Sequence, residues 1–135
     1  MGAKLDLDLI YDINLFSKIT GVRTKSCFRY NNWLIYVVPA QLMPRALGEK
    51  GENVHKIARL LKLKVKVIPE ATLEPFVKSV IYPMKFKRLS VENNEVSIVA
   101  GPNSKASLIG RDKVRLEELS GILKDFFAVK SLKIL

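Results

Sequence analysis

Cysteine and histidine are nearly absent from this chain. Cys27 is its only cysteine and His55 its only histidine among 135 residues. One thiol cannot form an intrachain disulfide, and one thiol with one imidazole cannot fill the coordination sphere of a structural metal. We therefore expect no metal site and no cofactor, with Cys27 buried in a strand and His55 exposed on a helix. A lone reduced thiol is consistent with a cytoplasmic location.

Long apolar runs and catalytic constellations are also missing. No stretch approaches the ~20 apolar residues that cross a bilayer, and the first residues lack the basic-then-apolar pattern of a signal peptide. The adjacent Glu117 and Glu118 would diverge by about 100° on a helix, so they cannot form a facing carboxylate pair. No nucleophile–base pattern is visible either. We expect neither a membrane partner nor an enzyme with a small-molecule substrate.

Basic residues, by contrast, are abundant. The chain has 23 Lys and Arg against 13 Asp and Glu, a formal net charge of +10. Residues 1–69 hold 12 of the basic and 5 of the acidic residues, whereas residues 70–135 hold 11 and 8. Such a surplus points to nucleic acid or a membrane surface as the partner, and the missing apolar runs disfavour the membrane.

An internal repeat with an offset of 62 residues organises the chain. The string Gly48-Glu49-Lys50-Gly51 precedes one apolar helix pattern, and Gly110-Arg111-Asp112-Lys113 precedes another. The pair Asn31-Asn32, which suits a two-residue hairpin turn, recurs in register as Asn93-Asn94. A repeat of about 60 residues indicates two copies of one small domain rather than a solenoid.

Each copy is predicted to have the order helix, strand, strand, helix, glycine turn, helix, strand, which is an α+β architecture. We place the domains at 1–69 and 70–135 and expect them to pack together, because a copy of this size has only a marginal core. The last strand matches its counterpart at an offset of 67, so the second copy has extra residues near 125–130. The predicted helices are 8–19, 41–47, 52–62, 73–81, 105–109 and 114–124. The predicted strands are 24–30, 33–38, 64–68, 85–91, 95–100 and 131–135.

Each glycine turn can present main-chain N–H groups to a phosphate. A helix start offers unpaired N–H groups and the positive end of the helix dipole, and glycine lets a sugar–phosphate backbone approach closely. Glycine between two helices is also a common C-cap, but its recurrence at the same point of both copies favours binding. Neither turn has the Lys-Ser or Lys-Thr pair of a nucleotide-binding P-loop.

Positive charge is concentrated around the first turn, residues 48–51. Val54 and Ile57, with the strand 64–67, are predicted to form an apolar groove for unstacked bases, which is how single-stranded RNA is commonly read. Six basic side chains are predicted to supply the electrostatic contacts: Arg45, Lys50, Arg59, Lys62, Lys64 and Lys66.

Three aromatic residues flank the first hairpin turn. Tyr30, Trp33 and Tyr36 have side chains that can stack on unpaired bases. Strand aromatics of a small domain are nevertheless mostly core residues. We therefore assign all three to the core.

The first turn and its helix resemble the signature of a KH domain. The matching string runs from Ala46 to Ile57, Ala-Leu-Gly-Glu-Lys-Gly-Glu-Asn-Val-His-Lys-Ile, and a valine-rich strand follows. With a hairpin ahead of the helix pair, the resemblance is to the type II form. Two such copies behind an opening helix are similar to the archaeal NusA-type transcription factors.

This resemblance implies single-stranded RNA binding across a surface of both domains, in transcription termination or antitermination. A protein-interaction module that docks on RNA polymerase or a ribosomal particle, with RNA contact secondary, is the alternative. Single-stranded DNA is another candidate ligand. The contacts that the resemblance implies in the first turn come from Gly48, Glu49, Lys50, Gly51 and Asn53.

The second copy departs from the pattern. Lys113 stands where the second glycine belongs, and Arg115 replaces the asparagine of the first copy. The Lys113 side chain would either grip a phosphate or block the close approach of the strand. The candidate contacts in this copy are Gly110, Arg111, Lys113 and Arg115, and we expect them to bind more weakly than the first turn.

Overall fold

The computed structural model describes residues 7–24 and 26–135. Within them it contains six α-helices and two three-stranded sheets, which confirms the α+β class. Contacts between residues divide the chain into two compact units, of which the first ends at Thr72 and the second begins at Leu73. Each unit contains one sheet and three of these helices.

The first unit has the predicted order of elements. These are α1 (Leu7–Thr20), β1 (Ser26–Tyr30), β2 (Trp33–Val38), α2 (Met43–Leu47), α3 (Glu52–Leu61) and β3 (Lys64–Pro69). The central strand is β2, which forms an antiparallel hairpin with β1 and a parallel pair with β3. Part of the predicted helix 41–47 is a 3₁₀ turn, Ala40–Leu42, which leads from Pro39 into α2.

The second unit repeats this order with shifts at the element ends. Its elements are α4 (Leu73–Ile81), β4 (Arg88–Glu92), β5 (Glu95–Val99), α5 (Pro102–Ile109), α6 (Val114–Phe127) and β6 (Ser131–Ile134). The predicted strand 85–91 begins only at Arg88. The predicted helix 105–109 begins at Pro102, since a proline in the first turn needs no N–H partner. The helix after the second turn extends into the extra residues near 125–130.

The hairpins and the strand register repeat between the units. Asn31 and Asn32 have φ values of 53° and 66°, and Asn93 and Asn94 have 53° and 63°. Positive φ at both central residues is the geometry of the tight hairpin turn that the sequence predicts. Ser26 pairs with Val37 as Arg88 pairs with Val99, and Trp33 pairs with Lys64 as Glu95 pairs with Ser131.

The core of the first unit lies between its helices and one face of its sheet. The rings of Phe16 and Tyr36 stack with centroids 4.2 Å apart. The Tyr36 hydroxyl donates a hydrogen bond to the main-chain oxygen of Asp12 at 2.9 Å, and burial raises the pKa of this phenol. Tyr30 is also buried, which confirms two of the three aromatic core assignments. Trp33 is only half-buried.

The core of the second unit uses the longer α6. Phe76 of α4 lies 5.1 Å from Phe126 and 5.2 Å from Phe127, measured between ring centroids. Both partners belong to the extra residues of the second copy, near the end of α6. The extension of this helix therefore supplies aromatic packing for α4.

The two sheets differ in what they expose. Every residue of β2 from Leu34 to Val38 is buried, so this strand is covered on both faces. In β5, buried Val96 and Ile98 alternate with less buried neighbours. A strand that is buried on both faces needs a continuous apolar sequence, as in β2. A strand that is buried on one face needs alternating apolar and polar residues, as in β5.

Candidate nucleic-acid interface

The first turn reverses the chain between α2 and α3 by placing residues in the left-handed region. Gly48 has φ 76° and ψ 173°, Lys50 has 54° and 27°, and Gly51 has 72° and 20°. A Cβ at position 48 would lie 2.9 Å from the side chain of Asn53. Gly48 is therefore required both for its positive φ and for the space that a Cβ would fill.

Several amides of this turn are already engaged within the protein. The N–H of Gly48 donates to Pro44 O at 3.0 Å, and the N–H of Gly51 donates to Gly48 O at 3.1 Å. The N–H of Glu52 donates to Glu49 O. The expectation that the whole turn presents its N–H groups to a ligand is thus too broad. It narrows to the amides of Glu49 and Lys50.

Asn53 holds the two helices of the turn together. Its side-chain amide donates to the main-chain oxygen of Arg45 at 3.2 Å. This bond also satisfies a carbonyl at the end of α2, where helices leave unpaired acceptors. The structure therefore gives Asn53 a positioning role at the turn.

Exposed cations lie along α2 and α3, with Arg45 and Lys50 near the turn and Arg59 and Lys62 at the far end of α3. The side chains of Arg45, Lys50, Arg59 and Lys62 are all exposed. The guanidinium of Arg45 lies over Gly21, with Nη2 3.1 Å from the position that a Cβ would take there. These four predicted residues share one helical pair, and solvent reaches each of them.

Lys64 and Lys66 lie on the opposite face of the sheet. Val65 and Val67 pack into the core with Ile57 of α3. Because side chains alternate along a strand, the two lysines point away from α3. Their ammonium groups lie 5.6 Å and 5.3 Å from the centroid of the Trp33 ring. The prediction that these two lysines line a groove between α3 and the strand 64–67 is therefore wrong.

The predicted apolar wall of that groove is largely core. Ile57 has no exposed surface, so it cannot contact a base as predicted, and Val54 is half-buried against the same core. Leu60, by contrast, is 57% exposed on α3. Exposed Leu60 on α3 and half-buried Trp33 on the opposite face of the sheet are apolar residues that the sequence pattern did not predict as contacts. The alternation of lysine and valine in β3 was the signal that could have drawn attention to Trp33.

Lys66 is partly buried, unlike the exposed cations of α2 and α3. Partial burial lowers the pKa of its ammonium group below the ordinary lysine value. A cation that has already lost part of its hydration and lies near an indole ring is stabilised by the ring quadrupole. Trp33, Lys64 and Lys66 thus form one cationic aromatic cluster, here called the Trp33 cluster.

The second turn has nearly the same backbone as the first. Gly110 has φ 76° and ψ 170°, Asp112 has 54° and 27°, and Lys113 has 64° and 20°. The N–H of Gly110 donates to Ala106 O at 2.9 Å, and that of Lys113 to Gly110 O at 3.2 Å. Lys113 therefore adopts the left-handed conformation of a glycine, at a cost of roughly 1–2 kcal/mol.

The charge at the second turn is partly cancelled. Arg115 forms an ion pair with Glu118, with Nη1 and Oε1 2.6 Å apart. Arg111 and Lys113 are exposed, but so is Asp112 between them. Of the four candidate residues in this copy, Arg111 and Lys113 remain as exposed cations.

His55 is exposed, and Cys27 in β1 is only partly buried, with Sγ 3.9 Å from Leu9 O. Among residues 7–24 and 26–135, no three potential metal ligands converge. No helix in that part of the chain is long and apolar enough to cross a bilayer.

Comparison with known proteins first identifies the fold. The crystal structure of APE1850 superimposes with a TM-score of 0.67, covers 97% of this chain and 100% of that one, and is 24% identical in sequence. No family model matches the chain. At this identity, the superposition establishes a shared fold.

Curated relatives then indicate a kind of protein. The "Probable transcription termination protein NusA" of Methanococcus vannielii is 24% identical over 139 aligned positions, covering 99% of this chain and 80% of the relative. The protein of the same name from Halobacterium salinarum is 23% identical over 126, covering 90% and 91%. The chain thus has distant similarity to archaeal NusA-like proteins over most of its length.

Proposed function

We propose that this protein is a NusA-like RNA-binding factor, built from two type II KH domains at residues 1–69 and 70–135, that acts in transcription termination or antitermination. The distant similarity to NusA-like proteins supports the family-level role. The repeated element order and strand register support the pairing of two like domains. The observation that carries the proposal is the first turn, a positive-φ reversal at a helix start among exposed cations.

A phosphate of single-stranded RNA is assigned to the amides of Glu49 and Lys50. The following helix, α3, adds the positive end of its dipole at that point. Lys50 supplies the nearest charge, while Arg45, Arg59 and Lys62 attract the neighbouring phosphates. Asn53 holds α2 and α3 at the spacing that shapes the turn.

The Trp33 cluster is a separate contribution to the same binding. Its lysines lie on the other face of the sheet from α3, so they cannot contact the nucleotide that lies on the turn. Their charge still adds to the field that attracts a polyanion. We therefore expect Lys64 and Lys66 to affect the association rate and the salt dependence more than base preference.

The second turn is assigned a weaker role in RNA binding. Its backbone has the required shape, but Lys113 places a Cβ and a long side chain where the first turn has none. Arg115 is drawn toward Glu118 along the helix. We assign it, with Gly110 and Arg111, to the periphery of the RNA path.

Docking on RNA polymerase or a ribosomal particle is the second candidate function. One face of α1 favours it, because Leu7 and Tyr11 are 73% and 61% exposed and Ile10 lies between them at 39%. Adjacent exposed apolar side chains are typical of a protein-interaction surface. RNA contact would be secondary in that case.

The deciding experiment changes the charge of the first turn without changing its backbone. Lys50→Asp is suitable because Asp112 already adopts the same φ and ψ, 54° and 27°, in the second turn. We expect single-stranded RNA to bind at least about tenfold more weakly, or ~1.4 kcal/mol, by fluorescence anisotropy. Lys130→Asp, an equal change of charge at an exposed position between α6 and β6, is the matched control.

Salt dependence separates the two functions. Affinity that depends on phosphate contacts falls steeply as salt is raised, with a log–log slope near −0.7 per contact for single strands. If RNA affinity did not change with salt, and if Lys50→Asp did not reduce it, the first turn would not be an RNA-binding site. If Lys50→Asp still bound RNA polymerase and Tyr11→Ser did not, the docking function would be favoured.

A further inference from the structure

A cavity lies beside the end of α4, in a part of the second unit that contains neither glycine turn. Its volume is about 290 Å³. None of the residues that line it belongs to the contacts assigned above. The lining residues are Lys78, Ile81, Tyr82, Met84, Lys85 and Phe86.

The lining combines an aromatic surface with an apolar interior. Tyr82 is 70% exposed, so most of its ring is open to solvent. Phe86 is half-buried, and Ile81 is buried. Aromatic rings at a surface concavity are the common platform for unpaired bases, since every base has a flat π face.

Positive charge predominates at the rim of the cavity. Lys78 lies with its ammonium nitrogen 5.8 Å from the centroid of Phe86 and 3.4 Å from a carboxylate oxygen of Glu74. Lys78, Lys85 and Lys87 are all exposed, as is Glu74, so three of these four charges are positive. A surplus of positive charge favours an anionic ligand over a neutral apolar one.

The size limits the occupant. Pockets for drug-sized ligands run from roughly 300 to 1,000 Å³, so this cavity is at the small end of that range. A single base is a flat ligand of fitting size, and its attached phosphates would remain at the rim. The aromatic rings of the lining suit the base of a nucleotide, and the lysines suit its phosphates.

We propose that this Tyr82 cavity binds one unpaired base of a single-stranded RNA, with the flanking phosphates on Lys85 and Lys87. The inference rests on the proposed RNA-binding function and adds to it a contact that does not use the second turn. The second unit then contributes to RNA binding through a stacking site, even though its glycine turn is expected to bind RNA more weakly than the first.

The test replaces the exposed ring and measures RNA affinity. Tyr82→Ser is expected to weaken the binding of a fluorescein-labelled single-stranded RNA by about fivefold, the lower end of the range for one stacked base. Phe86→Leu, which keeps apolar volume but removes the ring, is expected to weaken it in the same direction. Val91→Ser changes a 51% exposed apolar side chain of β4 in the same unit and serves as the control.

Photocrosslinking places the base independently of affinity. RNA containing 4-thiouridine is expected to crosslink to peptides that include Tyr82 or Phe86. Circular dichroism checks that each variant is folded. Normal affinity of both cavity variants, with no crosslinks in this segment, would overturn the inference while loss on Lys50→Asp still supported the proposed function.

A mononucleotide separates the remaining outcomes. If the wild-type protein bound no RNA, the proposed function would fail, and titration with adenosine monophosphate would test the cavity alone by NMR. Nucleotide-dependent shifts of the Tyr82 and Phe86 ring signals in the wild type, with the Phe86 shifts lost in Tyr82→Ser, would support a nucleotide site. Unchanged ring signals at saturating nucleotide would overturn it.

Discussion

The two glycine turns have almost the same backbone and different chemistry around it. Lys50 and Asp112 share φ 54° and ψ 27°, and Gly51 and Lys113 differ by only a few degrees in φ, at 72° and 64°. In the first turn the fourth residue has no side chain and the helix start is held by an asparagine. In the second turn that residue is a lysine, and an arginine occupies the asparagine position.

The comparison separates the shape of a turn from its capacity to bind. Glycine at the fourth position is not needed to make the shape, because Lys113 adopts it at an energetic cost. What glycine provides is access, since no Cβ or side chain lies beside the amides of the turn. The sequence therefore preserves the fold in the second unit while changing the surface at the point of contact.

The largest expected effect comes from the glycine that both turns share. Gly48→Ala and Gly110→Ala both force alanine to positive φ, which costs roughly 1–3 kcal/mol. A Cβ at position 48 would meet side-chain atoms of Asn53 at 2.9 Å, whereas at 110 it would also meet the main-chain nitrogen of Arg115 at 2.9 Å. We expect urea denaturation to show the larger loss of stability for Gly110→Ala. Equal losses would mean that φ strain alone decides the cost.

The next effect is electrostatic and concerns RNA affinity. Lys50→Asp is expected to weaken RNA binding about tenfold, and Arg111→Asp by less, about threefold, because the Lys113 side chain hinders the approach of the strand to the second turn. Anisotropy titrations at one fixed salt concentration measure both. Equal losses would show that the two turns bind alike, and the asymmetry between them would be wrong.

Lys113→Gly tests both the access of the RNA strand to the second turn and the backbone strain at position 113. The change removes a left-handed lysine, so the free energy of unfolding is expected to rise by up to about 1 kcal/mol after the greater freedom of glycine in the unfolded chain is counted. RNA affinity is expected to rise as well, because the strand can then approach the amides. A fall in affinity, with a log–log salt slope smaller by about one, would show instead that Lys113 grips a phosphate.

The smallest effect concerns the residue that follows each turn. Asn53→Ala removes one hydrogen bond to Arg45 O, which is expected to cost about 1 kcal/mol of stability and to loosen the first turn. Arg115→Ala breaks a partly buried ion pair on one helix and should cost less, about 0.5 kcal/mol. Thermal denaturation of the two variants measures the difference. A larger loss for Arg115→Ala would assign the main structural role to the ion pair.

Local patterns predicted the fold well where a residue type has one strong backbone preference. The two Asn-Asn pairs predicted both hairpins, and the glycine turns predicted the helix reversals. Element ends were less predictable. The strand pattern of residues 85–91 fails before Arg88, where Phe86 lies near Lys78 of α4 instead of in the sheet. Such packing is a tertiary effect that period-two alternation cannot encode.

The candidate site was predictable at the turn and not beside it. The spacing of Lys64 and Lys66 showed that they share a face of a strand, but only the packing of α3 determines which face that is. Ile57 was assigned to a base-binding groove because it lies on the apolar stripe of α3. A small unit has few apolar side chains for its core, and this stripe is used there.

The first turn lies within the crossover that joins two parallel strands. The hairpin of β1 and β2 needs only local contacts, whereas β3 can pair with β2 only after α2, the turn and α3 have closed a long loop. A ligand on the closed turn therefore stabilises the whole first unit by mass action. The melting temperature of the protein is therefore expected to rise when a ligand binds to the turn. Screening polyanions for a rise in that temperature would rank RNA sequences before any binding assay had been established.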